Sequence, residues 1–282
     1  MPDEDELEEL RAEVKRLREL LKELTPPLEE LLLRRGFKVH RKDPVDDLLI
    51  PSAEYVDAYY DLMKKYSFRL FLRDVIKNQS VFTVKSVARY ATADVTEDYI
   101  QYLLSVGLIS TYKEGFRLKR DKPVKSFGET LEWFLAETLK REFSSEALWG
   151  VRFKGRKTGG DYDLIAKVDG AKVLYMEVKS SPPKQIYQGE IRAFMERVED
   201  LVPDLSIFFM DTELRMKDKI VPMFEEELAR KGPGPLTKAL PMPERLYKEL
   251  FNIGERIFII NAKGSVAANV ERVLAFYLRR TS

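Results

Sequence analysis

Residues 159–181 read GGDYDLIAKVDGAKVLYMEVKSS. Two apolar runs, 161–168 and 171–180, flank Asp169-Gly170, a dipeptide suited to a tight hairpin turn. Side chains alternate across a strand, so Asp161 and Asp163 share one face of the first run, and Glu177 and Lys179 share one face of the second. In an antiparallel hairpin the start of one strand lies beside the end of the next. The turn is then at one end, and Asp163, Glu177 and Lys179 gather at the other. Half-buried carboxylates repel each other unless something cationic compensates. Two carboxylates with open oxygens suit Mg²⁺ or Mn²⁺. An ion held there polarises a phosphate and lowers the pKa of a bound water, and Lys179 is placed to hold that water or to stabilise phosphoryl charge. The plainer alternative is a structural acid–lysine ion-pair patch on a sheet rim.

The neighbouring segments place this hairpin in an α/β unit. Residues 127–143, FGETLEWFLAETLKREF, carry Leu131, Phe134, Leu135 and Leu139 on one helical stripe. EALWGVRFKG (146–155) reads as a strand joined to the hairpin through RKTGG. A helix is expected over about 185–201, an apolar strand at LSIFFMD (205–211) and a helix over about 217–231, with a break at KGPGP (231–235). RIFIIN (256–261) and the helical SVAANVERVLAFYLRR (265–280) read as additions to the same sheet.

This order of helix, three strands, helix and strand over residues 126–212, with GGDYD and EVKS at matching strand ends, resembles the PD-(D/E)XK nuclease superfamily, in its archaeal Holliday-junction-resolvase-like and RecB-like branches. The resemblance implies a mixed-sheet, restriction-endonuclease-like αβββαβ core and metal-dependent hydrolysis of DNA phosphodiester bonds, in repair or recombination. It matches Asp163 to the signature acid and Glu177-Val178-Lys179 to the (D/E)XK element. It adds Glu132 from the first helix through a GxxxE pattern, with Glu129 as fallback. The implied catalytic set is Glu132, Asp163, Glu177 and Lys179, with the three acids as ligands for Mg²⁺ or Mn²⁺. Asp161, Gln185 and Gln188 are assisting candidates. The competing reading is a non-catalytic nucleic-acid-binding or assembly protein.

Residues 56–125 resemble a winged helix-turn-helix domain. Helices are expected at FRLFLRDVIKN, TVKSVARYA and residues 96–106, the last with Ile100, Leu103 and Leu104 inward and Gly107 as its stop. A hairpin follows around Glu114-Gly115. The last of these helices, the would-be recognition helix, is expected to expose Thr96, Glu97, Asp98 and Gln101, whose acids suit phosphate poorly. The hairpin and its tail are basic, which makes Lys113, Arg117, Lys119 and Arg120 candidate DNA contacts, with Lys154 and Lys157 as further candidates. A spacer or protein-interaction module is the alternative for these residues.

Residues 3–24 repeat apolar side chains in heptads, Leu7, Val14 and Leu21 at a and Leu10, Leu17 and Leu24 at d. Glu6 and Glu13 at g would face Arg11 and Arg18 at e of a parallel partner. The expectation is a homodimer through a coil over residues 1–26, a connector over 27–55, the winged helix over 56–125, and the nuclease-like unit with its strand–helix extension over 126–282. In the connector, Arg34, Arg35, Lys38, Arg41 and Lys42 form a basic, solvated surface, and His40 is exposed.

Composition narrows the field. The 282 residues carry a net charge of +1, but residues 1–30 net −6 and the rest +7, which leaves a basic body compatible with a polyanion. The chain has no cysteine and one histidine, so disulfides and thiolate metal sites are excluded, and histidine-based catalysis is a poor candidate. No apolar run reaches the roughly 20 residues of a membrane span, and the acidic N-terminus is unlike a signal peptide. A cytoplasmic protein is expected. Only eight Asn and Gln among many charged residues is a composition of the thermophilic kind.

Overall fold

The computed structural model describes residues 25–156, 160–231 and 240–281, together with residues 13, 14, 16 and 20. The coil expected over residues 3–24 lies outside the described residues, apart from those last four positions, which are helical and exposed.

After Pro27 comes α1 (Leu28–Arg34), then a short strand β1 (Val39–Arg41). Four helices follow: α2 (Val56–Met63), α3 (Tyr66–Lys77), α4 (Val84–Val87) and α5 (Ala93–Ser105). A hairpin, β2 (Ile109–Tyr112) and β3 (Gly115–Leu118), closes this helical half. The second half runs α6 (Gly128–Phe143), β4 (Glu146–Phe153), β5 (Tyr162–Val168), β6 (Lys172–Lys179), α7 (Gln188–Leu201), β7 (Leu205–Met210) and α8 (Ile220–Lys231). It ends with β8 (Glu244–Tyr247), β9 (Leu250–Ile253), β10 (Ile257–Asn261) and α9 (Val266–Thr281).

Eight strands form one mixed sheet in the order β1-β4-β5-β6-β7-β10-β9-β8. β4, β5 and β6 pair antiparallel, whereas β7 runs parallel to both β6 and β10. A parallel pair needs a long crossover, and α7 supplies the one between β6 and β7. A strand covered on both faces reads as a continuous apolar run, and β7 is buried at every position.

The sheet separates two cores. On one face α1, α7 and α8 contribute Leu32, Phe194 and Phe224. On the other, Leu131 and Phe134 of α6, Val273 of α9, and Tyr59, Phe68 and Ile100 of the helical half join one continuous core. The helical half therefore packs against α6 directly. One further tie across this boundary is buried and ionic. Arg69 of α3, 1% exposed, pairs with Asp211, 0% exposed, just past β7: Nε donates to Oδ1 at 2.9 Å, and Nη2 stands 2.9 Å from the same oxygen. Arg73 pairs with the other Asp211 oxygen, and Arg69 Nη1 donates to Met63 O at 2.6 Å.

Local details depart from expectation in two places. Thr96 is fully buried rather than exposed: the helix begins three residues earlier, capped by Thr92, and Thr96 Oγ1 donates to Thr92 O at 2.8 Å. The β2–β3 turn is Lys113-Glu114, because Tyr112 pairs with Gly115 and Lys113 takes φ 53°. Among the described residues no helix is long and apolar enough to cross a membrane.

Candidate functional site

β5 and β6 form the expected hairpin, turning through Asp169 (φ 44°) and Gly170 (φ 76°). Leu164 pairs with Met176, and one residue further along this register Asp163 faces Glu177. The ends are tied by the backbone N–H of Val178, which donates to Asp163 Oδ2 at 2.7 Å. Glu132 joins from α6. Its carboxylate fits against β4 because Gly150, across the register from Asp163, lacks a side chain: a Cβ there would lie 3.7 Å from Glu132 Oε2 and 2.5 Å from the Pro44 ring. Gly150 takes φ 53°, where glycine is favoured.

The sheet and α6 thus bring Glu132, Asp163, Glu177 and Lys179 together, but the three acids are held differently. Glu177, 2% exposed, is saturated. Tyr175 donates its hydroxyl to Oε2, Arg197 Nη1 of α7 donates to the same oxygen at 3.0 Å, and Lys179 Nζ stands 2.7 Å from Oε1. Lys179 also reaches Glu190 Oε2 at 3.3 Å, on the first turn of α7. Glu132 has no hydrogen-bond donor among the described residues, and Asp163 Oδ1 has none either. Asp163 is half-buried as a residue, but its carboxyl end is enclosed.

Electrostatics follow that division. Burial, then the Glu177 charge, push the Asp163 carboxyl up to about 8, against Lys179, the Val178 N–H and Arg197. Burial, then Asp163, Glu129, Asp161 and Glu177, push Glu132 well above the ordinary carboxylate range. Burial works against the Lys179 ammonium, yet Glu177 and Asp163 hold its pKa above the ordinary lysine value. Both Glu132 and Asp163 are thus pushed towards their neutral forms, by burial first and by neighbouring carboxylates second.

Among the described residues no group of three or more His, Cys, Asp or Glu side chains converges to hold a metal ion as it stands. The donor chemistry fits a smaller demand. Mg²⁺ keeps most of its water and takes one or two carboxylates, and Glu132 with the free oxygen of Asp163 supplies two.

The assisting candidates separate. Asp161 ion-pairs with Arg152 and adds its charge to the field at Glu132. Gln188 is turned away, donating from Nε2 to Met223 O of α8 at 2.9 Å. Gln185 is exposed on a short 3₁₀ turn, Pro183–Gln185. Glu129 accepts the backbone N–H of Asp47 at 2.7 Å. Lys113, Arg117, Lys119, Arg120 and Lys154 are exposed, with Arg117 packed over the Tyr112 ring, and Lys157 lies outside the described residues. In the connector, Arg34, Arg35, Arg41 and Lys42 each pair with an acid.

Arg197, Tyr175 and Glu190 were missed by sequence reasoning. One signal was present. Gly160, φ 90°, precedes β5, and a Cβ there would lie 2.7 Å from Arg197 Nη2, so this glycine makes room for the arginine.

No family model matches the chain, and no curated protein matches it. The chain is similar to a solved structure described as a refined half-complex from a tetradecameric assembly of Thermococcus gammatolerans McrB AAA+ hexamers with bound McrC. Identity is 12%, with 88% of this chain and 66% of that chain covered, at a TM-score of 0.32. The chain thus spans just under two thirds of the chain it matches. So low a TM-score carries no argument about fold or partner. The family resemblance drawn from the sequence is overturned: the comparisons return no PD-(D/E)XK nuclease, and the assignment is withdrawn. The physical reason is that GGxxD and ExK occupy a few positions at the ends of one hairpin, and any hairpin with charged ends can carry them.

Proposed function

We propose that the chain is a Mg²⁺- or Mn²⁺-dependent nuclease that hydrolyses DNA phosphodiester bonds. The observation that carries this reading is the pair Glu132 and Asp163. The two acids come from different layers, meet without a donor or cation between them, and stand beside Lys179. Structural acids in this same chain are neutralised, as Asp211 is. A pair left to repel is where perturbed protonation serves chemistry.

In this mechanism Glu132 and Asp163 would hold the hydrated ion, while Glu177 stays engaged by Lys179 and Arg197. The ion supplies Lewis acidity and a water of lowered pKa. Lys179 orients that water or meets charge on the phosphoryl oxygens. Because the ion competes with protons for these carboxyls, binding would tighten as pH rises. We read the αβββαβ order as a nuclease core on the strength of these carboxylates, and residues 56–125 as a winged helix that meets the DNA backbone through Lys113, Arg117, Lys119 and Arg120. Dimerisation through residues 1–26, a role in repair or recombination and a cytoplasmic location belong to the same proposal.

One observation favours a second reading, a non-catalytic nucleic-acid-binding or assembly protein: both oxygens of Glu177 are already engaged. The two readings part in one experiment. Purified protein is incubated with labelled single-stranded, duplex, flap and four-way-junction DNA, each with Mg²⁺, Mn²⁺ or EDTA, beside Asp163→Ala. Cleavage that requires both metal and Asp163 supports the nuclease. Binding without cleavage on every substrate moves the assignment to the second reading.

A further inference from the structure

Beyond the carboxylates lies a groove of about 740 Å³ between α3, the segment entering α6 and the segment leaving β6. Arg73, Lys77, Arg89, Lys125 and Lys184 line it, with Tyr90 among them. Asp74 is the one acid of its lining, and burial raises its pKa, which favours its neutral form. Tyr90 is 47% exposed, an aromatic face left open among cations.

The groove reaches the acids from two sides. Ser180 and Ser181 in its wall directly follow Lys179. Ser126 in its floor precedes Gly128, where a Cβ would stand 3.3 Å from Ser126 Oγ and 3.7 Å from Glu132 Oε1. It lies at the carboxyl ends of the parallel strands β6 and β7, with the Asp211 N–H donating to Lys179 O at 2.9 Å. Crevices at that end of parallel strands are where ligands settle in open α/β sheets. Arg73 is fastened there by Asp211, so the cationic wall is rigid where it nears the chemistry.

We propose that this groove, rather than the β2–β3 hairpin, is the main binding track, and that its occupant is a single strand of DNA. The inference deepens the nuclease reading and rests on it only for the bound strand being a substrate that leads to the carboxylates. The groove is the size of a ligand site, roughly 300–1,000 Å³, which takes a few nucleotides and not a duplex. Cations tracking a backbone beside an aromatic platform are the recognition chemistry of single strands. The hairpin tail lines a separate groove with Asp46, and Arg120 there donates to Asp46 O at 3.1 Å.

The test is binding of a fluorescent 12-nucleotide oligo-dT in EDTA, where no cleavage intervenes. Arg89→Glu/Lys125→Glu/Lys184→Glu alters exposed side chains only; its melting temperature is expected to match the parent. We expect about a tenfold or greater loss of affinity and a shallower salt dependence, by about 0.7 in the log–log slope per lost contact. Tyr90→Ala should cost about tenfold. Lys113→Glu/Arg117→Glu should cost less than the groove set, and Arg279→Glu on α9 should leave affinity unchanged. An unchanged affinity in the groove set, a larger loss in the hairpin set, or tighter binding of a duplex of equal length would overturn the proposal. The Asp163→Ala variant is run alongside. Groove-dependent binding with no cleavage under any metal would sink the nuclease and leave the groove standing.

Discussion

The chain buries carboxylates in two ways. At Asp211 the acid is fully enclosed, and two arginines from α3 meet its two oxygens. At Glu132 and Asp163, acids from α6 and β5 are enclosed against each other, and the nearest cations, Lys179 and Arg197, are spent on Glu177. The first arrangement is complete in itself and joins the helical half to the sheet. The second is incomplete, and burial with unmatched charge pushes both carboxyls above the ordinary carboxylate range. Burial alone separates nothing here. The difference lies in whether charge is matched within the fold, and that difference marks one acid as structural and the pair as a candidate site.

The largest effect should come from breaking the matched acid. Asp211→Ala leaves Arg69 buried and unpaired, and we expect a loss of about 3–5 kcal/mol, read by urea denaturation. A loss under about 1 kcal/mol would mean that the pair contributes little and that the contrast is overstated.

The unmatched pair should respond to pH in the opposite sense from an ordinary paired acid. An unfolded Asp163 loses its proton near 3.8, and in the fold burial and the Glu177 charge push its carboxyl up to about 8. The folded state therefore binds more protons between those values, and stability falls as pH rises across that window. Asp163→Asn should flatten the fall and raise the melting temperature at pH 8. A steeper fall in the variant would break the comparison. At pH 8 millimolar Mg²⁺ should raise the melting temperature of the parent by an amount equivalent to about 1–3 kcal/mol, and should do little for Asp163→Asn or at pH 5.

A backbone change sharpens the same contrast. Gly150→Ala places a Cβ 2.5 Å from the Pro44 ring at φ 53°. We expect about 1–3 kcal/mol of destabilisation from that strain, together with weaker Mg²⁺ stabilisation, because Glu132 leans on the space this glycine leaves. The smallest effect should be at Arg34, whose pair with Glu30 is solvent-exposed. Arg34→Ala should change stability by under about 0.5 kcal/mol.

Local features were legible in sequence, and distant ones were not. The β5–β6 hairpin was readable because Asp169-Gly170 supplies two positive φ angles between alternating runs. The apolar stripe of α6 was readable for the same kind of reason, since Leu131, Phe134, Leu135 and Leu139 repeat at helical spacing and all are buried. The β8–β9 hairpin was missed. Its turn is Lys248-Glu249, with Lys248 at φ 48° and no glycine to announce it. In the site, Asp163, Glu177 and Lys179 were placed by hairpin geometry alone. The clamp on Glu177 was invisible, because Arg197 reaches it from the next helix and only the fold sets that approach. The Arg69–Asp211 tie spans 142 residues and leaves no periodic trace. The family assignment failed through the same limit: a few matching letters describe one hairpin, not the sheet around it.

The middle strand β7 carries a cost of assembly. Its residues 205–210, LSIFFM, are buried throughout, and they are flanked on one side by β6 and on the other by β10, some fifty residues further along the chain. Until β10 arrives, that apolar run presents a bare row of amide and carbonyl groups, the template on which chains join one another edge to edge. Pairing over such a separation is slow to form. The interval between completion of β7 and docking of β10 therefore exposes a nascent copy to edge-to-edge aggregation.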